Sequence, residues 1–270
     1  MKTQNLLVSM AIAVLPLMVH FDPARADALD EIHARGTLRV AVPQDFAPFG
    51  SVGSSMHLEG VDIEVSALVA KALGAKLEMV PVTMENRISA LREKKVDLII
   101  SALGKTAERE KQIDFSQSYS PYNNSVYGVA AIKVDGPADL AGKTIGVTRS
   151  TLEDLMITKS APPSATIKRY DDNNSLLSAY LSTEVALIGT GDFAAAKIAD
   201  ILPPGAPNKP ILKYVIHESA CHIGLNKDEP KLLAKIDGVL TEAKKNGELN
   251  AIMQKWLHVP LPQKMAQSTE

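Results

Sequence analysis

The chain is 270 residues long, 46% hydrophobic and 22% charged, with 29 basic against 31 acidic side chains and a formal charge of -2. That length holds one large domain or two smaller ones, each with its own core, and the composition excludes disorder and fibrous repeats. Charge is scattered without a basic stripe, so nucleic acid is not an expected partner. Rings make up only 4% of residues, which makes any aromatic on a loop a residue to explain.

From Leu6 to Val19 every residue except Ser9 and Pro16 is apolar. A membrane-spanning helix needs about 20 such residues and a signal-peptide core about 7 to 15. The run follows Lys2 and leads to Ala24-Arg25-Ala26, with small residues at both positions a signal peptidase reads. Residues 1–26 are therefore expected to be a leader, cleaved before Asp27. Cys221 is the only cysteine, which excludes an intramolecular disulfide and a lipid anchor at the cleavage site. A soluble protein of a Gram-negative periplasm is the expected setting.

Beyond the leader, short β-rich runs alternate with amphipathic helical ones, which predicts α/β layers with largely parallel sheets. Leu38–Val42 reads as a first strand, followed by a Pro/Gly/Ser-rich loop from Pro43 to Gly60. Apolar residues at helical spacing predict a helix over Val61–Leu73, stopped by Gly74. Further strands are expected at 76–80, 96–100, 144–147, 166–170, 185–188 and 211–216. Helices are expected at 85–94, 152–159, 174–182, 193–199, 229–245 and 247–257, with a frayed Pro-rich tail. The alternation breaks at Tyr119–Asn124 and at Glu218–Cys221. Taken as crossings between lobes, these breaks give lobe 1 as 27–121 plus 221–270 and lobe 2 as 122–220, joined by a two-strand hinge.

The segment Val96–Arg109 is the most informative. An apolar strand runs into the small-residue loop Ser101–Gly104, and Thr106 is placed to cap a helix carrying Glu108 and Arg109 in its first turn. Ligands of open α/β sheets bind at the carboxyl ends of strands. There, exposed backbone N–H groups and an arginine one turn away can grip a carboxylate. On local grounds alone, Arg109 reads more readily as a solvated helix residue.

At this point the chain resembles the type II periplasmic solute-binding proteins of ABC transporters, in their polar amino-acid group, family 3. Gly60-Val61-Asp62-Ile63-Glu64-Val65 is similar to the family's G-F-D-x-D/E signature, with Val61 departing from it. Ser101–Arg109 is similar to S-x-M/L-x-x-T-x-x-R, and Ile113–Tyr119 to the run before the first hinge. Asp139–Val147 resembles the start of lobe 2, and Ile223–Lys227 the return to lobe 1. The resemblance covers essentially the whole chain after the leader. It implies a two-lobed fold, capture of an amino acid or close analogue by lobe closure, and delivery to an inner-membrane ABC permease by a monomer without cofactor.

The resemblance also implies the site. Arg109 and N–H groups near Gly104 would hold the α-carboxylate, and Ser101 the α-amino group through its carbonyl or hydroxyl. Ala102 and Gly104 stand where serines are common, which removes two hydroxyls. Phe46 stands where an aromatic often packs on the ligand, although hinge-side core packing also fits it. Met84 takes the place of a second ring, with a pliable thioether instead. Ser150 and Thr151 would face the cleft, although helix capping with Glu153 and Asp154 also explains that segment. Asp192 lies near the lobe-2 acid that grips the ammonium; a helix cap is its other reading, and a shift of one residue would put Gly191 there.

The histidines have no metal-ligand spacing, and His217 and His222 are expected on different strands. Cys221 reads as a buried residue of the hinge. No nucleotide-binding or nucleophilic-serine motif occurs, so no metal, cofactor or catalytic residue is expected. A periplasmic cyclohexadienyl (arogenate or prephenate) dehydratase resembles this family and is the alternative; it would need a cleft acid as proton donor, and Glu85 and Asp192 are the candidates. The motifs bear on the grip on an amino-acid backbone and leave the side-chain pocket open.

Overall fold

The computed structural model describes residues 27–267; the apolar leader and its cleavage site lie outside the described residues. The first element, α1 (Ala28–Arg35), is absent from the sequence expectation. Asp27 caps it by accepting from the Leu29 N–H at 2.9 Å. β1 (Thr37–Pro43) follows, and the predicted loop after it contains a small antiparallel sheet of β2 (Asp45–Phe46), β3 (Gly50–Val52) and β4 (Leu58–Glu59). The helix α2 (Val61–Leu73) has the predicted bounds. Gly60 precedes it at a φ of 136°, where an added Cβ would lie 2.4 Å from the Phe49 carbonyl oxygen, so only glycine fits this turn.

The chain continues through β5 (Lys76–Val82), α3 (Arg87–Arg92), β6 (Leu98–Ile99), α4 (Ala107–Glu110) and the long strand β7 (Asp114–Gly128). A 3-10 turn at Pro137–Leu140 leads to β8 (Thr144–Thr148), α5 (Leu152–Ser160), β9 (Thr166–Tyr170), α6 (Asn173–Leu181), β10 (Leu187–Gly191) and α7 (Asp192–Ile201). The second long strand, β11 (Ile211–Leu225), returns to α8 (Pro230–Lys245) and α9 (Glu248–Leu257). The tail forms a short helix, α10 (Gln263–Gln267), where fraying was expected.

The main strands form one sheet in the order β5-β1-β6-β11-β7-β10-β8-β9. β1 pairs in parallel with β5 and β6, and β8 with β9 and β10, so each lobe keeps a parallel sheet of its own. β7 and β11 run antiparallel from Asp114 opposite Leu225 to Gly128 opposite Ile211, and carry both sheets into one. Both segments that break the sequence pattern lie inside these strands, with Pro121 opposite Ala220 and Asn123 opposite Glu218. His217 and His222 share β11, a correction to their expected separation.

Each lobe buries apolar side chains on both faces of its sheet, as the period-2 alternation of strands requires. Val40 and Leu98 pack under α2 and α8 with Val65, Ile236 and Leu240, whereas their neighbours Ala41 and Ile99 pack on the opposite face with Leu91 and Ile113. In the second lobe, Ile145, Val147 and Ile157 form one layer, and Leu176, Tyr180 and Ile188 the other. Full burial of each such aliphatic side chain contributes about 1.5–3 kcal/mol. The lobes meet where the carboxyl ends of β1 and β6 face the start of α5.

Candidate functional site

The loop after β6 is held from beneath. Asp62, in the first turn of α2, is fully buried and accepts from the Ala102 N–H at 2.8 Å and from the Tyr119 hydroxyl at 2.6 Å. One carboxylate thus ties together α2, the Ser101–Gly104 loop and β7, and it fixes Ala102 at a φ of 42°. Burial raises this carboxyl from its ordinary value to about 7.

Thr106 caps α4, its hydroxyl accepting from the Arg109 N–H at 3.2 Å. The cap turns the Arg109 side chain inward, where it is 5% exposed. Its Nη1 donates to the Gly104 carbonyl at 2.7 Å and its Nη2 to the Ser150 carbonyl at 2.9 Å, so one guanidinium touches both lobes. Burial, and the cation of Arg87 nearby, lower the Arg109 pKa to about 9.

Arg87 opens α3 and is 2% exposed. Its Nη1 donates to the Ser101 carbonyl and contacts the Met84 sulfur at 3.0 Å, while its buried Nε has no hydrogen-bond partner. Burial lowers its pKa. Ion pairs among the described residues engage Arg35, Arg39, Arg149 and Arg169, but neither Arg87 nor Arg109. Across the interface Glu153, from the first turn of α5, is 2% exposed and accepts from the Tyr122 hydroxyl at 3.0 Å. Burial pushes its carboxyl up. The Tyr122 ring lies so close to β10 that a Cβ on Gly191 would stand 2.5 Å from it, which accounts for glycine there.

These groups enclose a cavity of about 20 Å³, with walls that include Phe46, Met84, Arg87, Arg109, Tyr122 and Glu153. That is room for about one water molecule. A larger groove of about 980 Å³ opens beside it, between the β2–β3 hairpin and the helices α6 and α7. At its edge Asp45 accepts from the Asn173 N–H at 2.7 Å, another contact between lobes. The groove has no buried charged side chain, and the small cavity is the better candidate site.

Of the residues expected from sequence, Phe46, Met84, Gly104, Arg109 and Thr151 line the cavity. Thr151 reaches it with a committed hydroxyl, which donates to the Thr148 carbonyl at 2.8 Å and accepts from the Asp154 N–H at 3.2 Å. The structure does not bring the other three to the wall. The Ser101 carbonyl is taken by Arg87, and its buried hydroxyl lacks a partner. Ser150 sits at a φ of 62°, its N–H donating to Asp154 at 3.0 Å and its carbonyl accepting from Arg109. Asp192 accepts from Asn123 at 3.0 Å and from the Phe193 N–H at 2.9 Å, a local role at the start of α7.

Arg87, Tyr122 and Glu153 are the residues that the sequence reading passes over. Phe46 has company: it stacks on Phe49 at 5.7 Å between ring centroids and meets Tyr122 at 6.4 Å, so the scarce rings gather behind the cavity. The available signals are a thioether in the turn three residues before Arg87, and two consecutive acids after Thr151 of which local capping needs only one. Among the described residues no group of three or more His, Cys, Asp or Glu is placed to hold a metal, and no helix is long and apolar enough to cross a membrane.

A family model described as bacterial extracellular solute-binding proteins, family 3, matches residues 38–259. The arginine-binding extracellular protein ArtP of Bacillus subtilis is 31% identical over 219 residues, 78% of this chain and 82% of that protein. The solved structure of the solute receptor for L-cysteine of Neisseria gonorrhoeae superposes with a TM-score of 0.79 at 26% identity, covering 86% of this chain and 94% of the receptor. An ancestral amino-acid-binding protein described as a precursor of cyclohexadienyl dehydratase superposes at 0.76 with 28% identity, covering 86% of this chain and 99% of that one.

Proposed function

Because the chain belongs to the bacterial extracellular solute-binding proteins of family 3, we propose that it captures one free α-amino acid or close analogue in the Arg109 cavity by closing its lobes, then presents it to an ABC permease of the inner membrane. The lobes divide at 121/122, inside β7, and at 220/221, inside β11, where the chain re-enters the first lobe. The protein acts as a periplasmic monomer and a binding protein, without catalysis. The observation that carries this reading is the Arg109 guanidinium, buried, without an ion pair among the described residues and in contact with both lobes. A ligand carboxylate takes the place of the two carbonyls it now holds, as charge-assisted bonds replace neutral ones. Since the cavity holds about one water, the lobes separate to admit an amino acid and close upon it. Ligand contacts to both lobes exist together only in the closed form, which binding therefore favours.

The relatives differ in what their names say they bind, arginine in one and L-cysteine in another, so membership alone leaves the side chain open. The dehydratase alternative is not favoured, since the relatives are binding proteins. Its two nominated acids also stand away from the cavity. Glu85 is exposed and lies 3.9 Å from Arg149, and Asp192 is engaged by Asn123.

Thermal denaturation with each common α-amino acid in excess tests the proposal. A cognate ligand at 100 times its Kd stabilises the folded state by about 2.7 kcal/mol, and should be recovered unchanged. Conversion of prephenate or arogenate by the protein would favour the enzyme instead.

A further inference from the structure

Two buried guanidiniums and one buried carboxylate share the cavity, a set that a neutral or cationic amino acid does not complement. Arg87 and Arg109 are 2% and 5% exposed, donate only to carbonyl oxygens and a thioether sulfur, and have no carboxylate partner. Arg87 holds one donor, Nε, that is satisfied by nothing. Glu153, on the opposite lobe, accepts from the Tyr122 hydroxyl, with the Thr151 hydroxyl also beside it, and forms no ion pair with either guanidinium among the described residues. Unpaired buried charge is costly, and proteins leave it so where a ligand completes the pairing. With Glu153 ionised the site carries a net charge of one positive unit.

We infer that the ligand is an α-amino dicarboxylic acid, such as L-glutamate or L-aspartate, with one carboxylate on Arg109, the other on Arg87 and its ammonium toward Glu153. This rests on the amino-acid-binding reading above and deepens it. The ligand's two anions and one cation mirror the two cations and one anion that line the cavity, so each of those three finds an opposite. A neutral amino acid leaves one guanidinium without an anion. Arginine adds a third cation beside two already present. A dicarboxylate without an amine sets two anions against Glu153 with nothing between them.

Calorimetric titration of the full mature chain with L-glutamate, L-aspartate, their amides, L-arginine and glutarate tests the assignment. An acidic amino acid should bind about 100-fold more tightly than its amide, the usual scale for a buried charge pair. Arg87→Gln, which retains a donor for the Ser101 carbonyl, should reduce that ratio to below about tenfold while binding of the amide persists. Glu153→Gln, which keeps the bond to Tyr122, should narrow the preference for glutamate over glutarate and provides a second readout should the first variant not fold. Equal affinity for glutamate and glutamine, or tighter binding of arginine, overturns the dicarboxylate assignment and leaves the amino-acid function standing. Binding of no α-amino acid overturns both.

Discussion

Two pairs of arginines stand at opposite ends of β6, and they are treated differently by the fold. At the amino end, Arg35 and Arg39 share Asp97, with contacts of 2.5 and 2.7 Å, and the Arg39 N–H adds a bond to the same carboxylate at 2.9 Å. At the carboxyl end, Arg87 and Arg109 are more deeply buried and form no ion pair among the described residues. The first pair is 34% and 26% exposed and is closed by the protein itself; it pins α1 to the sheet. The second pair has its countercharge withheld. An acid in direct contact marks the structural pair, whereas the second pair shares its cavity with Glu153 without an ion pair to it, although the side chains are chemically identical.

Removing Arg109 should break the contrast most severely. Arg109→Ala is expected to weaken ligand binding by about 100-fold or more, with the unfolding free energy of the ligand-free protein within about 1 kcal/mol of the parent; titration and chemical denaturation measure both. Asp97→Asn should do the reverse. It leaves two guanidiniums around a neutral amide and costs about 1–3 kcal/mol of stability, discounted for the partial exposure of both arginines, with the ligand affinity unchanged. A loss of affinity in Asp97→Asn would show that the two ends of β6 are not independent.

The smallest effect concerns Asp62, the acid that supports the receptive end. Its folded pKa of about 7 lies above the ordinary carboxyl value, so the native state holds a proton that the unfolded chain has released. Between about pH 4 and 7 stability therefore falls as pH rises, and the cost is complete above 7. Glu153 acts in the same direction. Denaturation at a series of pH values should give a shallower decline between pH 5 and 8 for Asp62→Asn than for the parent.

Local signals made much of this legible. The bounds of α2 follow from its apolar spacing between Gly60 and Gly74, and the inward turn of Arg109 follows from the Thr106 cap. What escaped depends on partners distant in sequence. Arg87 reads as an ordinary helix cation, since its burial comes from the Ser101 carbonyl, from Met84 and from the packing of two lobes. Glu153 and Asp154 look alike in sequence; Asp154 serves the turn by accepting from Ser150, while Glu153 points across to Tyr122. The middle of β7 reads as a break because Pro121 and two asparagines lack apolar alternation, yet that stretch is paired with β11. Its Tyr122 reads from sequence as part of that break and lines the candidate cavity.

The pairing of β7 with β11 along nearly their whole length also bears on how this molecule can deform. A ribbon hydrogen-bonded from Asp114 to Gly128 opens a cleft by flexing, like a leaf spring, with no need to melt its ladder. Four register irregularities, between Leu212 and Gly224 on β11, are where added twist is taken up. Opening of this kind would load the two paired strands with strain that closing would release.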